Sequence, residues 1–275
     1  QFKTIGRTPV KSGVLPLRIK GTVSDAVRQI GPANPLYILW PEKIRKTTKD
    51  FTRAFPGQTM FAVKTNPHPM VLQNLYKAGI KAFDVASLNE VRLVREAVPQ
   101  AKLYFMHPVK SPETIWESYH VHGVRNFVLD TTDELHKILR ETGLASDLTL
   151  FVRLALPKNG QAAIDFSCKF GALPDEAVRL LQECRQVAER VGVSFHVGTQ
   201  TLEPTAYSRA IALAGEIIRR SRVNVDILDV GGGFPVSYPG QDVFTMLECV
   251  AEMKAAIEEQ GLDGLELMAE PGRVL

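Results

Sequence analysis

Eight short apolar runs recur along this chain, and stretches of helical length separate them. The runs are rich in Val, Phe, Leu and Ile, and the stretches between them, such as 69–78 and 87–97, carry apolar residues at helical spacing. Alternation of strand and helix implies parallel pairing, so eight such units predict a closed (β/α)8 barrel. The runs span residues 60–64, 82–86, 102–106, 126–130, 149–155, 194–198, 226–232 and 266–271.

Polar residues or glycines stand where several of these runs end. The positions are Lys64, Asp84, Arg153, His196, Glu270 and the run Gly231-Gly232-Gly233. A single charged residue there can simply mark the point at which a sheet reaches water. In a (β/α)8 barrel, however, the loops after the strands share the face where active sites lie, so residues far apart in sequence would converge. The repetition therefore predicts an active site.

Composition limits the classes of protein to which the chain can belong. Its 275 residues are 45% hydrophobic and 23% charged, enough for one large globular core. The net charge is only +3 and basic residues are spread along the chain, so nucleic-acid binding is not indicated. No stretch resembles a bilayer span or a signal peptide, and Cys168, Cys184 and Cys249 lack metal-like or paired spacing. We expect a cytoplasmic enzyme with reduced cysteines, no metal, and no membrane partner.

Lys64 lies at the end of a buried run, directly before a turn and a helix. A lysine in that place can be partly desolvated, which would lower its pKa and free its amine to attack a carbonyl. The alternative is a lysine at the barrel rim that extends its charge into water.

The last two runs end in groups suited to an anion and a cation. The three glycines let backbone N–H groups approach an anion such as phosphate, and Arg273 follows the eighth run nearby. Glu270 needs a cationic partner to stay ionised, and a protonated pyridine nitrogen would serve. His196 could lie against a flat ring, although a lone histidine there is usually a packing residue.

The two ends of the chain do not fit the barrel repeat. Residues 1–35 contain four prolines and one short helix, for which Ser24 is a plausible N-cap. The barrel would take residues 36–275, with no residues left for a helix after the eighth strand, so one apolar flank would be uncovered. We expect a fragment of a longer polypeptide, in which residues 1–35 belong to a second, β-rich domain that is largely absent from this chain.

The motifs resemble those of the fold type III pyridoxal phosphate decarboxylases, the family of ornithine, lysine, arginine and diaminopimelate decarboxylases. The resemblance spans nearly the whole chain. It rests on Phe61 to Asn66, Phe83 to Ser87, His196-Val197-Gly198, the glycine run, and Glu270-Pro271-Gly272-Arg273.

This resemblance implies pyridoxal 5'-phosphate as cofactor. Lys64 would form the internal Schiff base, His196 would stack on the ring, and Glu270 would keep the pyridine nitrogen protonated. Asp84 and Arg153 would lie near the lysine and the cofactor's 3-hydroxyl, and Thr199 replaces a more common serine. The phosphate would be held by Gly231, Gly232, Gly233 and Arg273, and Gly272 would also bind the cofactor.

The resemblance leaves alternatives open. Alanine racemases share the barrel but place an arginine beside the pyridine nitrogen, so Glu270 favours decarboxylation. Ornithine is the favoured substrate, through Gly-Gly-Gly-Phe-Pro and His-Val-Gly, while lysine, arginine and diaminopimelate remain open. The family builds its active sites across a homodimer with residues from the C-terminal domain. A regulator that binds a partner without turnover is the non-enzymatic alternative.

Overall fold

The computed structural model describes residues 21–35, 37–157, 162–164, 169–240 and 243–275, with 162–164 as backbone alone. The chain divides into two compact units, residues 1–40 and 41–275. In the first unit, helix α1 spans Val23–Ile30. Thr22, and not the expected Ser24, is its N-cap, because Thr22 and Asp25 bond each other's backbone N–H in a capping box. The assignment of residues 1–35 to a β-rich domain stays a prediction, since residues 1–20 lie outside the described residues.

The second unit contains the predicted barrel. Eight parallel strands close on themselves in the order β1-β2-β3-β4-β5-β7-β9-β10. The remaining two described strands, β6 and β8, form a separate antiparallel pair. The strands are β1 Gln58–Ala62, β2 Ala82–Val85, β3 Lys102–Phe105, β4 Asn126–Leu129, β5 Thr149–Arg153, β6 Ala162–Ile164, β7 Arg190–Ser194, β8 Thr199–Thr201, β9 Ile227–Asp229 and β10 Glu266–Ala269.

Helices surround the barrel, and their starts follow local capping rules. Ser87, Ser111, Thr131 and Thr245 each accept a backbone N–H of the helix that they precede. The helices are α2 Pro41–Ala54, α3 Pro69–Ala78, α4 Leu88–Ala97, α5 Pro112–His120, α6 Thr132–Glu141, α7 Pro174–Val187, α8 Thr205–Ser221 and α9 Met246–Gln260.

Helix α2 covers the flank that was expected to be bare. It precedes β1 in the chain and packs against both α3 and α9. Its buried Phe51 contacts Phe234 edge to face, with ring centroids 5.1 Å apart. No helix follows β10 in the described residues 270–275. The expectation of an uncovered flank is therefore wrong, because a helix from before the first strand takes this place.

One apolar layer fills the middle of the barrel, and it identifies which residues further along the strands also point into the interior. Side chains alternate along a strand, so a residue two positions further along points into the same interior. Asp84, Arg153, Asp229 and Glu270 each lie two residues beyond a member of this layer, and they form a polar layer at the carboxyl ends of the strands. The apolar layer is Met60, Ala82, Tyr104, Val128, Phe151, Ile227 and Met268, and Met106 lies one layer further along, just after β3.

The sixth barrel strand differs from its prediction. It spans Arg190–Ser194, whereas the sequence suggested 194–198. The sequence did not predict this strand because Arg190 and Gly192 are atypical of a buried strand. A Cβ on Gly192 would lie only 2.4 Å from Cδ1 of Phe151, so the ring leaves no space for a side chain there. Gly192 is therefore the packing partner of a core ring, and His196 lies in the loop after the strand.

Candidate active site

Lys64 and Asp84 face each other at the carboxyl ends of β1 and β2. Lys64 lies in a single 3-10 turn, Val63–Thr65, and its Nζ is 3.4 Å from Oδ2 of the buried Asp84. The lysine side chain is 55% exposed. The carboxylate of Asp84 raises the pKa of Lys64 more than burial lowers it, and Glu270 adds to the rise. The expectation of a lowered pKa is wrong, because nearby carboxylates outweigh desolvation.

Glu270 contacts a second carboxyl group, Asp229, on the neighbouring strand. Burial raises the pKa of Glu270 well above its ordinary value, and the charges of Asp229 and Asp84 raise it further. Burial also raises the pKa of Asp229 to about 6. The two side chains can share a hydrogen bond only when one of them carries a proton. Burial and the two carboxylates outweigh the lowering effect of Lys64, so the neutral form of Glu270 is favoured.

His196 is a neutral imidazole in this site. Its Nδ1 accepts the backbone N–H of Gly198 at 3.0 Å. Burial, and then the charges of Arg153 and Lys64, lower the pKa of His196 to about 3. Since Nδ1 is an acceptor, the ring proton resides on Nε2. Nε2 lies beside Gly232, where an added Cβ would approach it to 3.1 Å.

The glycines let three loops approach one another closely. Gly231 has φ +69°, and a Cβ there would lie 2.0 Å from the carbonyl oxygen of Phe195. A Cβ on Gly233 would lie 2.4 Å from the carbonyl oxygen of Gly198, and one on Gly272 would lie 2.1 Å from Oγ1 of Thr65. The glycines are therefore required by the packing of the chain itself, as well as suited to a close anion.

The β6–β8 pair, which the sequence did not predict, holds the glycine loop. The backbone N–H of Thr201 donates to the carbonyl of Gly233 at 3.0 Å. Gln200 adopts φ +55° and bonds both the N–H and the C=O of Val236. Thr199 is half-buried at the start of β8. This clamp fixes the glycine loop against the loop that carries His196.

The two arginines of the predicted site occupy different surroundings. Arg153 is half-buried among the polar layer, with its guanidinium carbon 5.4 Å from the ring centre of Phe170. Arg273 is exposed, and it donates to the hydroxyl of Tyr238 at 2.7 Å. Arg153 therefore lies close enough to Lys64 and His196 for its charge to lower the pKa of both. Arg273 instead bonds Tyr238 in the loop after β9.

Three residues of this region were missed from the sequence. Asp229 could have been found, because it lies two residues after the core residue Ile227. Glu90 on α4 accepts the N–H of Ala86 at 2.8 Å, and burial raises its pKa. Gln200 gives no sequence signal, since its role depends on a strained backbone position.

The cysteines take no part among the described residues. Burial raises the pKa of the Cys184 and Cys249 thiols to about 12, as expected of packing residues. Cys168 lies outside the described residues. In the described part of the chain, no helix combines the length and apolar character that crossing a membrane requires.

The site fits pyridoxal phosphate chemically. It combines an amine, a neutral flat ring, a carboxyl group that retains a proton, and a glycine loop. Asp84 Oδ1 and Asp229 Oδ2 are buried and have no hydrogen-bond donor among the described residues. Such acceptors suit a ligand that brings a cationic N–H group.

Comparison with known proteins agrees with this fit. Residues 41–275 match the family model of the pyridoxal-dependent decarboxylases, pyridoxal binding domain. Lysine/ornithine decarboxylase of Selenomonas ruminantium is 31% identical over 88% of this chain and 61% of its own length. Ornithine decarboxylase of Neurospora crassa is 35% identical over 78% of this chain and 43% of its own length.

A solved structure extends the likeness to the fold. The lysine/ornithine decarboxylase of Vibrio vulnificus, complexed with putrescine, superposes with a TM-score of 0.77 at 31% identity. The match covers 92% of this chain and 66% of the other. This chain therefore spans less than two thirds of these relatives, and it belongs to the family of pyridoxal-dependent decarboxylases, whose pyridoxal-binding domain it carries.

Proposed function

We propose that the protein decarboxylates a basic amino acid with pyridoxal phosphate, and that the substrate is ornithine. The observation that carries the proposal is the polar layer of the barrel, where the Lys64 amine lies among Asp84, Glu270 and Arg153 in a chain of this family. When bound, the cofactor accepts the electron pair left behind as the substrate carboxylate departs as carbon dioxide.

The described residues would divide the binding of the cofactor between them. Lys64 would hold its aldehyde carbon, and Glu270 would face its ring nitrogen. His196, being neutral, can pack against the ring without opposing a positive charge there. Asp84 and Arg153 would lie at the ring edge. The phosphate would be bound by Gly231, Gly232, Gly233 and Arg273, and Thr199 and Gly272 would also line the cofactor site.

The barrel supports this chemistry in two ways. The apolar layer beneath the site, including Met60, Phe151 and Met268, excludes water from below. The carboxylate of Asp84 holds the Lys64 amine at the mouth of the barrel, with 3.4 Å between Oδ2 and Nζ. From there, Nζ can carry a proton to and from the substrate.

The choice of ornithine rests on the relatives. Both curated relatives described above are named for ornithine, one jointly with lysine. The product of ornithine decarboxylation is putrescine, so the proposal includes a role in polyamine formation. A homodimer in the cytoplasm belongs to the same proposal, and light scattering of the full-length protein tests the dimer.

A substrate panel tests the function. Carbon dioxide release is measured for the full-length protein with L-ornithine, L-lysine, L-arginine and meso-diaminopimelate. Ornithine should give the highest kcat/KM, and Lys64→Ala should abolish turnover. Lys254→Ala is the matched control, because Lys254 is exposed on α9 and lies beside Gln58 and Glu266, at the opposite ends of the strands from the polar layer. Faster turnover of another substrate would contradict ornithine, and full activity of Lys64→Ala would contradict the role of the lysine.

A further inference from the structure

We propose that Asp229 is a positioning residue for Glu270: the two carboxyl groups share one proton, and Glu270 releases this proton when the cofactor brings a cationic N–H group beside it. The O–H bond of Glu270 breaks, the proton passes to water, and no electron is transferred. The inference rests on the proposed function for the second step, while the shared proton belongs to the cofactor-free protein.

The backbone holds the two carboxyl groups together. Asp229 pairs in register with Met268, and Glu270 follows two residues later on the same strand edge. The N–H of Gly231 donates to Oδ1 of Asp229 at 2.9 Å, and the N–H of Glu270 donates to the carbonyl of Gly231 at 2.8 Å. Gly231 thus links the backbones of both residues, and the two side chains start from neighbouring strand ends.

Hydrogen bonding requires a proton between them. Asp229 is fully buried, and its Oδ2 has no donor among the described residues when both carboxyl groups are ionised. A proton on Glu270 supplies that donor. The shared hydrogen bond therefore removes the cost of an unpaired buried oxygen and of two adjacent negative charges.

The charges around the pair favour the same state. Asp84 on β2 adds a third carboxylate, while Lys64 after β1 and Arg153 on β5 supply two cations. His196 after β7 is neutral. With every carboxyl group ionised, this interior would carry a net negative charge, and one retained proton balances it.

The substitution Asp229→Asn isolates this role. Its Oδ1 can still accept the N–H of Gly231, and its Nδ2 can donate to Glu270 without a shared proton. Glu270 should then be ionised in the cofactor-free protein. Asp130→Asn is the matched control, because Asp130 is a buried carboxylate at the end of β4 that also accepts one backbone N–H, from Gly171 at 2.9 Å.

The first measurement uses the cofactor-free, full-length protein. Infrared spectra at pH 7 in water and heavy water should show the C=O band of a protonated carboxyl group. The band should disappear in Asp229→Asn and in Glu270→Gln, and it should remain in Asp130→Asn. Absence of the band from the wild-type protein, or its survival in folded Glu270→Gln, would overturn the shared proton whatever the variants' effect on activity.

The second measurement follows protons during binding. Calorimetry of pyridoxal phosphate binding at pH 7, in two buffers with different ionisation enthalpies, gives the protons exchanged with solvent. The wild type should release about one proton more to solvent than Asp229→Asn for each cofactor bound, because Glu270 of the variant is already ionised. Equal release would overturn the loss of the proton on binding. Failure of the wild type to bind pyridoxal phosphate would instead overturn the proposed function, which the infrared result does not require.

Discussion

At the scale of single residues, the surroundings of a side chain decide its charge. The pKa values of Lys64 and Glu270 were both expected to be shifted, and both are. Burial is the largest cause of the raised pKa of Glu270, with the charges of Asp229 and Asp84 after it, whereas the direction for Lys64 depends on where Asp84 and Glu270 lie. No sequence pattern gives such distances, so the lysine was assigned the wrong direction.

His196 should not titrate near neutral pH. Burial and two neighbouring cations keep its ring neutral, and Nδ1 is engaged by Gly198. Proton NMR of the His196 ring, assigned by comparison with His196→Gln, should therefore show constant shifts from pH 5 to pH 8. A midpoint for His196 within this range would contradict a neutral ring.

At the scale of elements, the eight strands were predictable because each is a short apolar run between helices. The polar strand ends followed from the same pattern, and seven of the eight strands lie where they were predicted, to within a few residues. The β6–β8 pair was not predictable, since a strand of three residues is too short to show an alternation of apolar and polar residues. The sixth barrel strand was misplaced because a glycine is typical of a turn. The sequence does not show that Gly192 packs against the ring of Phe151.

The glycine loop tests the packing argument. Gly231→Ala should destabilise the protein by about 2 kcal/mol or more, because alanine is strained at φ +69° and its Cβ would collide with the carbonyl oxygen of Phe195. Gly264→Ala is the control, since a Cβ there has no neighbour within 4 Å. Denaturant unfolding measures both. Equal stability of the two variants would show that the loop does not need a glycine at 231.

At the scale of the whole molecule, the buried pair couples unfolding to pH. The pKa of Glu270 is higher in the folded protein than its ordinary value of 4.5, so the folded state binds the proton more tightly. The stability from this group is complete below pH 4.5 and is lost as the pH rises through the folded pKa.

Asp229, with a pKa raised from 3.8 to about 6, acts in the same direction between those two values. The melting temperature of the cofactor-free protein should therefore fall less between pH 5 and pH 8 in Glu270→Gln than in the wild type. Parallel profiles would show that Glu270 is not protonated in the folded protein.

The helix α2 shows what a repeat pattern omits at this scale. The barrel was predicted from strand-helix units that begin with a strand, so the helix before β1 had no place in the count. Its contacts with α3 and α9 show that it belongs to the ring of helices around the barrel. The barrel was thus foreseen from local periodicity, while the closure of its last flank depends on contacts between distant parts of the chain.

The central claim is that Lys64 captures pyridoxal phosphate at the mouth of this barrel. The most direct measurement is the visible spectrum of the full-length protein with pyridoxal phosphate, followed by borohydride reduction and peptide mapping of the modified lysine. We predict a visible absorption band and a single modified residue, Lys64, with no modification of Lys64→Ala at the same site. Modification of a different lysine in the wild-type protein, or none at all, would contradict the account.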